Sequence, residues 1–296
     1  MLREPGRREF LRTLSAATMA SVATALPARA ASSLTIVPLA TGLSLLTTPA
    51  GNIVVAEGAN GLLLVNGGAR GDAAAILDAL TTYAAGKPVR TLFNTDWHPA
   101  HSGLNETLRK AGAEIVAHEY TKQYLQRAGL KAGLPTRTFY TSGTMAASSG
   151  TIEYAQLGQA HTDGDIYVLF KDQNVLVVGD MLSVGKYPIA DIDSGGWLGG
   201  MVTATKTLLD LTNEQAKVVP GVGPVQTRGA LDGQHKMLAA VRERFLKMMR
   251  QGMSADDMLA GGITRDYDAV WGDPREFIHT AYKGMWLHVR ELGGIV

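Results

Sequence analysis

Apolar and polar positions along the chain change period twice, and each change marks a different kind of element. The runs "LTIVPL", "LSLLTT", "NIVVAEG" and "GLLLVNGG" are short, rich in Leu, Ile and Val, and punctuated by Gly, Asn and Pro. That pattern predicts consecutive hairpin strands. The stretch "DAAAILDALTTYAAG" then shows apolar residues at helical spacing with a Gly stop, and "PVRTLFNT" returns to strand. "GLNETLRKAG" reads as helix, "AEIVAHE" as strand and "TKQYLQRAG" as helix. A second strand group follows in "TIEYAQLG", "DIYVLFK" and "NVLVVGD". Beyond it the pattern predicts a helix near 201–211, the strand "AKVVPG", a long helix over 231–250 and further helix to the C-terminus, where Met, Trp and Tyr are spaced for packing. No composition shift or linker divides residues 31–296. They are expected to form one α/β domain of two similar halves, its two sheets face to face between helical layers, a four-layer αββα sandwich.

The first 30 residues stand apart from this pattern. "GRREFLRT" places Arg7 and Arg8 before a mildly apolar stretch, "LSAATMASVATALP", which ends in the small-residue signal "ARA". The segment resembles a twin-arginine export signal. A core helix would not need a small-residue run ending in Ala-x-Ala. The stretch is also too short and weakly apolar to span a bilayer, which takes about 20 strongly apolar residues. The expectation is a cleaved signal over residues 1–30, a periplasmic mature chain beginning near Ala31, and no stable membrane span.

Composition narrows the function. Twenty-eight Lys and Arg against 27 Asp and Glu leave a formal charge of +1, which gives a nucleic acid or an anionic membrane no handle and favours a small-molecule substrate. There is no cysteine, so any metal has to be held by His, Asp, Glu or backbone oxygen. Nothing in the sequence sets an oligomeric state.

The polar residues of interest all sit where predicted strands end, the place where a sheet fixes a side chain and leaves it accessible. In "FNTDWHPAHSG" Asp96, His98 and His101 follow one strand; His161 in "LGQAHTDGD" follows another, and Asp180 in "VVGDML" ends a third. A single His or Asp after a strand is ordinarily a turn residue. Five in this order, with 96 and 98 on one side of an extended chain, point to a common site. The remaining histidines, His118, His235, His279 and His288, lie on strand ends and helix faces where packing or surface roles are expected. The glycine-rich "DSGGW" at residues 193–197 is expected to be a substrate-facing turn, since no Gly-Lys-Ser/Thr follows to make a phosphate cradle.

Taken together, "TDWHPAH", "GQAHTDGD", "VVGD" and "PGVGPV" resemble the metallo-β-lactamase-fold superfamily of metal-dependent hydrolases over about residues 35–230. The family pattern is His-x-His-x-Asp-His, a later His, a metal-bridging Asp and a last His between glycines. This chain departs from it at three positions, with Asp96 for the first His, Ala100 for the motif Asp and Val222 for the last His. Carried over by position, the resemblance implies a first metal site of Asp96, His98, His161 and Asp180, and a second that keeps only His101 and Asp180. Two His with one or two carboxylates and a water make an accepted zinc set. The second position lacks donors and is expected to be empty.

One zinc ion is therefore expected, with a weakened site in which His101 and Asp180 carry the remaining catalytic work, His101 as base or hydrogen-bond donor. Three classes stay open. The leading one is an exported hydrolase cleaving an ester, thioester, amide or lactam-like bond. The others are a non-catalytic or weakly catalytic relative that binds a small molecule or a partner, and a mononuclear Fe(II) enzyme using oxygen, since two His and a carboxylate with open positions also suit iron.

Overall fold

The computed structural model describes residues 34–288 except 59 and 149. The export segment read over residues 1–30 lies outside them. The chain opens with an antiparallel meander, β1 (Ile36–Ala40), β2 (Leu43–Thr48), β3 (Gly51–Gly58) and β4 (Gly61–Val65). α1 (Ala73–Tyr83) then crosses to β5 (Val89–Phe93), which runs parallel to β4. α2 (Pro99–Ser102) and α3 (Asn105–Lys110) lead to β6 (Glu114–His118), and α4 (Glu119–Arg127) to β7 (Arg137–Phe139), both parallel additions to the same sheet.

The second half repeats the plan. β8 (Ser142–Ala147), β9 (Gly150–Gln156), β10 (Ile166–Phe170) and β11 (Val175–Gly179) form another meander. α5 (Leu198–Asp210) crosses to β12 (Lys217–Pro220), parallel to β11, and β13 (Gln226–Thr227) closes that edge. The helices α6 (Arg228–Met249), α7 (Ala255–Ala260), α8 (Asp268–Trp271) and α9 (Arg275–Leu287) complete the described chain. Among the described residues there are thus a seven-stranded sheet in the order β1 to β7 and a six-stranded sheet in the order β13, β12, β11, β10, β9, β8.

The strands read as continuous apolar runs because both of their faces are covered. On β3, Val54 and Ala56 face the other sheet while Ile53 and Val55 face α1 and α3. On β10, Ile166, Val168 and Phe170 point between the sheets, and Tyr167 and Leu169 point to the layer of α5, α6, α7 and α9. Three apolar layers result, which is the αββα sandwich. Phe93, Tyr154 and Phe139 pack at steep ring angles across the middle layer with ring centroids 5.0 and 4.8 Å apart, and truncating Phe93 to Ala would cost about 3–5 kcal/mol.

Three elements differ from the expectation. β8 was not foreseen because "SGTMAA" lacks the β-branched apolar signature; it forms as an edge strand, half-exposed along its length, held by its ladder to β9. β7 is only three residues long and is likewise held by pairing, to β6. α6 begins at Arg228, three residues before the expected start, because the Thr227 hydroxyl caps it by accepting from the Ala230 amide.

Candidate metal centre

The five residues singled out from the sequence come together where the two sheets meet. Asp96, His98 and His101 follow β5 of the first sheet, whereas His161 follows β9 and Asp180 follows β11 of the second. Buried asparagines hold the first loop. The Asn94 side chain donates to the His101 carbonyl at 2.9 Å and exchanges amide hydrogen bonds with Asn105, while Asn66 Oδ1 accepts from both the amide and the hydroxyl of Thr95. The Ile166 amide donates to the Thr95 carbonyl at 2.8 Å and ties this loop to the second sheet. Gly179 makes the turn into Asp180 at φ 55°, in the left-handed region, where a Cβ would also strike the Thr95 side chain.

His98, His161 and Asp180 form one triad. His98 Nδ1 lies 3.3 Å from His161 Nε2, and the two nitrogens lie 3.8 and 3.7 Å from Asp180 Oδ2. The opposite nitrogens are engaged from behind. His161 Nδ1 meets the Ile189 carbonyl at 2.7 Å, and His98 Nε2 meets Asp191 Oδ2 at 3.1 Å. A carbonyl and a carboxylate can only accept, so each ring carries a hydrogen on its outer nitrogen, and in the neutral ring the inner nitrogen presents a lone pair turned toward the other. Two lone pairs facing at 3.3 Å repel unless a cation or a proton lies between them. The outer partners fix ring orientation as they do around a metal.

Asp96, His101 and Asp180 form a second triad. His101 Nε2 is 3.3 Å from Asp180 Oδ1 and 3.5 Å from Asp96 Oδ2. Although the side chain is only 1% exposed, neither ring nitrogen has a partner of acceptable hydrogen-bond geometry. Asp96 Oδ1 is occupied, accepting from the His98 amide at 2.8 Å. The structure thus sets the remaining oxygen of Asp96 on the His101 side, while the occupied oxygen lies 3.3 Å from His98 Nδ1. Asp180 offers one oxygen to each triad.

The cluster is built to hold positive charge. Burial opposes ionisation of His98, but its bonds to Asp191 and Asp96 win and push it up to about 10. Burial likewise opposes charge on His101, and the carboxylates of Asp96 and Asp180 still raise it to about 9. Both of those acids are held below the ordinary carboxylate range against the cost of burial, chiefly by attraction to His101. Donor chemistry, outward-locked tautomers and unpartnered buried nitrogens all fit a divalent ion such as zinc.

A cleft with about 550 Å³ of free space opens over the site, lined by His161, Asp180, Leu182, Ser183, Val184, Lys186, Tyr187, Ile189 and Val222. The "DSGGW" turn does not line it. Gly196 instead packs against the His161 carbonyl, so tightly that a Cβ there would collide with it. The Asp191 amide donates to that same carbonyl at 2.7 Å. The expectation of a substrate-facing turn is corrected: the segment buttresses His161 from behind, and its Ser194 hydroxyl donates to Asp191, the acceptor for His98.

Two acids escaped sequence reasoning. Asp191 accepts from His98 and from the Ser194 hydroxyl at 2.7 Å, and Ser194 in turn accepts from the Trp97 indole at 3.0 Å. Asp165 is fully surrounded and accepts from the His161 amide at 2.6 Å and from the amide and hydroxyl of Thr162 at 2.9 and 2.6 Å. Burial raises its pKa to about 7, yet all three partners are donors, and they favour the ionised form. The second Asp of "HTDGD" was the available signal for Asp165; nothing local marks Asp191. The other histidines have structural roles. His118 caps α4 through the Tyr120 amide, His235 bonds Thr205, His279 pairs with Asp256 and His288 stacks on Trp197.

The fold is shared with known proteins. A family model described as the metallo-beta-lactamase superfamily matches residues 46–252, and the chain belongs to that superfamily. Among solved structures, it is similar to a metallo-beta-lactamase from Pontibacter korlensis, with a TM-score of 0.62 and 20% identity over 70% of this chain and 99% of that one. It is also similar to the metallo-beta-lactamase FIM-1 from Pseudomonas aeruginosa in its mono-zinc form, with a TM-score of 0.60 and 16% identity over 70% and 95% of the two chains. At these identities the likeness is one of fold. A curated relative, the alpha subunit of 2,4-dinitroanisole O-demethylase from Nocardioides sp., is 23% identical over 181 residues, 60% of this chain and 54% of that subunit. The chain spans about half the length of that relative.

Proposed function

We propose that this chain is an exported metal-dependent hydrolase that works with one tightly held zinc ion, bound by His98, His161 and Asp180 with Asp96 beside them. The observation that carries the reading is the pair of histidines whose outer nitrogens are locked by Ile189 and Asp191 and whose inner nitrogens face each other 3.3 Å apart at the floor of the cleft. An ion held there would supply a Lewis acid and would lower the pKa of a water toward neutrality.

The chain's own residues do the rest. Ile189 and Asp191 hold the two imidazoles in one tautomer, and Asp165 holds the loop that carries His161. Asp180 lies between the triads, 3.3 Å from His101, so a proton taken up in the cleft can be held on His101 against Asp180 and Asp96. Lys186 at the cleft wall suits a substrate with an anionic group, and Leu182, Val184, Ile189 and Val222 suit an apolar body. The substrate is a small molecule with an ester, thioester, amide or lactam-like bond. The relative named for 2,4-dinitroanisole adds an activated aryl ether to the bonds to be assayed. The twin-arginine-type segment over residues 1–30 supports a periplasmic location for this work.

The test is metal analysis of the purified chain together with hydrolysis of a panel of activated esters, lactams and nitroaryl ethers. One zinc and turnover that disappears in His161→Ala are expected. Iron with oxygen consumption would replace the reading by the Fe(II) alternative, and absence of both metal uptake and turnover by the binding alternative.

A further inference from the structure

The loop that leaves β12 puts one side chain into the cleft, and that loop is held from the opposite sheet. We propose that Asn52 is a positioning residue that sets specificity. It clamps the loop carrying Val222, and so fixes the wall that limits how long an apolar group the cleft accepts. The inference rests on the reading of this cleft as the substrate site and adds to it a restriction on substrate shape.

Four observations carry the proposal. First, residues 220–223 read Pro-Gly-Val-Gly, and Val222 is the side chain among them that lines the cleft, with His161, Asp180 and Val184. It is 48% exposed, so its methyls are open to a bound molecule. A residue flanked by glycines keeps its place only if something outside the loop holds it. Second, Asn52 at the start of β3 does so. Its amide donates to the Gly221 carbonyl at 2.8 Å, and its Nδ2 donates to the carbonyls of Pro220 and Gly223 at 3.0 and 2.7 Å. One residue, only 3% exposed, thus holds the backbone on both sides of Val222. Third, the clamp is itself fixed. The Thr47 hydroxyl donates to Asn52 Oδ1 at 3.2 Å, which sets the amide end that faces the loop, and Thr48 Oγ1 accepts from the amides of Ala50 and Gly51 in the turn before it. Fourth, the loop is confined on two sides. A Cβ on Gly51 would strike the Gly221 carbonyl, and a Cβ on Gly221 would strike Asp180.

The consequence is a wall that does not yield. Leu182, Val184 and Ile189 reward each buried methylene of a bound chain about fourfold in affinity, until the chain meets the clamped valine. Lys186, in the same lining, suits an anionic end of that chain.

The test is calorimetric titration of the purified full chain with the straight-chain carboxylates from butanoate to octanoate, with metal content measured in parallel. In the wild type, affinity is expected to rise about fourfold per methylene up to a limiting length, and then to level or fall. Asn52→Ala removes the two Nδ2 bonds and keeps the backbone one; it should move the limit to longer chains, and Val222→Gly should do the same. The double variant should move it no further than Val222→Gly alone, since one change acts through the other. A merely structural Asn52 would lower the thermal midpoint and leave the limiting length where it is, which overturns the proposal. So does a wild type that shows no binding or no limiting length, or a limit that moves in Asn52→Ala and not in Val222→Gly. Should Asn52→Ala fail to fold, Asn52→Ser decides by the same comparison. Metal content bears on the hydrolase reading alone. A chain that takes up no metal yet shows the limit and its shift overturns that reading and supports this inference, and a metal-loaded chain without a limit does the reverse.

Discussion

The two triads share Asp180 and differ in what stands behind them. On the His98 and His161 side both imidazoles are braced, by Asp191, the Ile189 carbonyl and Asp165. On the Asp96 and His101 side the imidazole is enclosed by the Asn94 network through its backbone, but its ring nitrogens are left without partners. The difference teaches that ligand identity and ligand preparation are separate properties. A donor becomes a strong ligand when a second residue has already fixed its ring and tautomer, and that second residue need not lie near it in sequence.

The largest expected effect comes from the braced side. His161→Ala removes a nitrogen with a fixed tautomer, and loss of an ion worth several kcal/mol of transition-state stabilisation should lower turnover by about 1,000-fold or more, read by steady-state rates with metal content measured in parallel. If Asp96→Asn were equally damaging to turnover, the two sides would be equivalent and the contrast would fail. Asp165→Ala should act on stability instead. It leaves the amides of His161 and Thr162 and the Thr162 hydroxyl without their acceptor, at a cost of about 3 kcal/mol, visible as a lower thermal midpoint.

Asp191→Ala sharpens the comparison, since it frees His98 without touching a ligand. Zinc affinity should fall about 10–100-fold in a competitive chelator titration. The smallest effect concerns the metal-free chain. His98 and His101 are raised to about 10 and about 9, above their unfolded value of about 6.5. Raised imidazoles contribute stability that is fully present below pH 6.5 and lost as pH climbs through 9 to 10. The melting temperature of chelated protein should decline over that window, and the decline should shrink when zinc is bound.

Much of this was legible in the chain. β2 to β6 and β9 to β12 follow from apolar runs bounded by Gly, Asn and Pro, and the loops after β5, β9 and β11 follow from where those runs end. The gathering of Asp96, His98, His101, His161 and Asp180 came from the motif order. What stayed hidden depends on distance in space. Asp191 meets His98 across 93 residues, and nothing local marks it. The direction of Asp96 is set by a bond to the backbone two residues ahead, a choice between two equivalent oxygens that residue type does not encode. β8 takes its strand form from β9, since its own composition favours no regular structure.

The placement of the cluster at the junction of the sheets bears on how the molecule comes apart. Asp96, His98 and His101 hang from the first sheet, and His161 and Asp180 from the second, beside the backbone link from Ile166 to Thr95. Parting the sheets therefore requires any bound ion to release one set of ligands first. Occupancy would act as a rivet, and it would slow the opening of the sandwich as well as shift its equilibrium. The lifetime of the folded state at the working temperature would then be governed by metal supply, independently of whether any substrate is present.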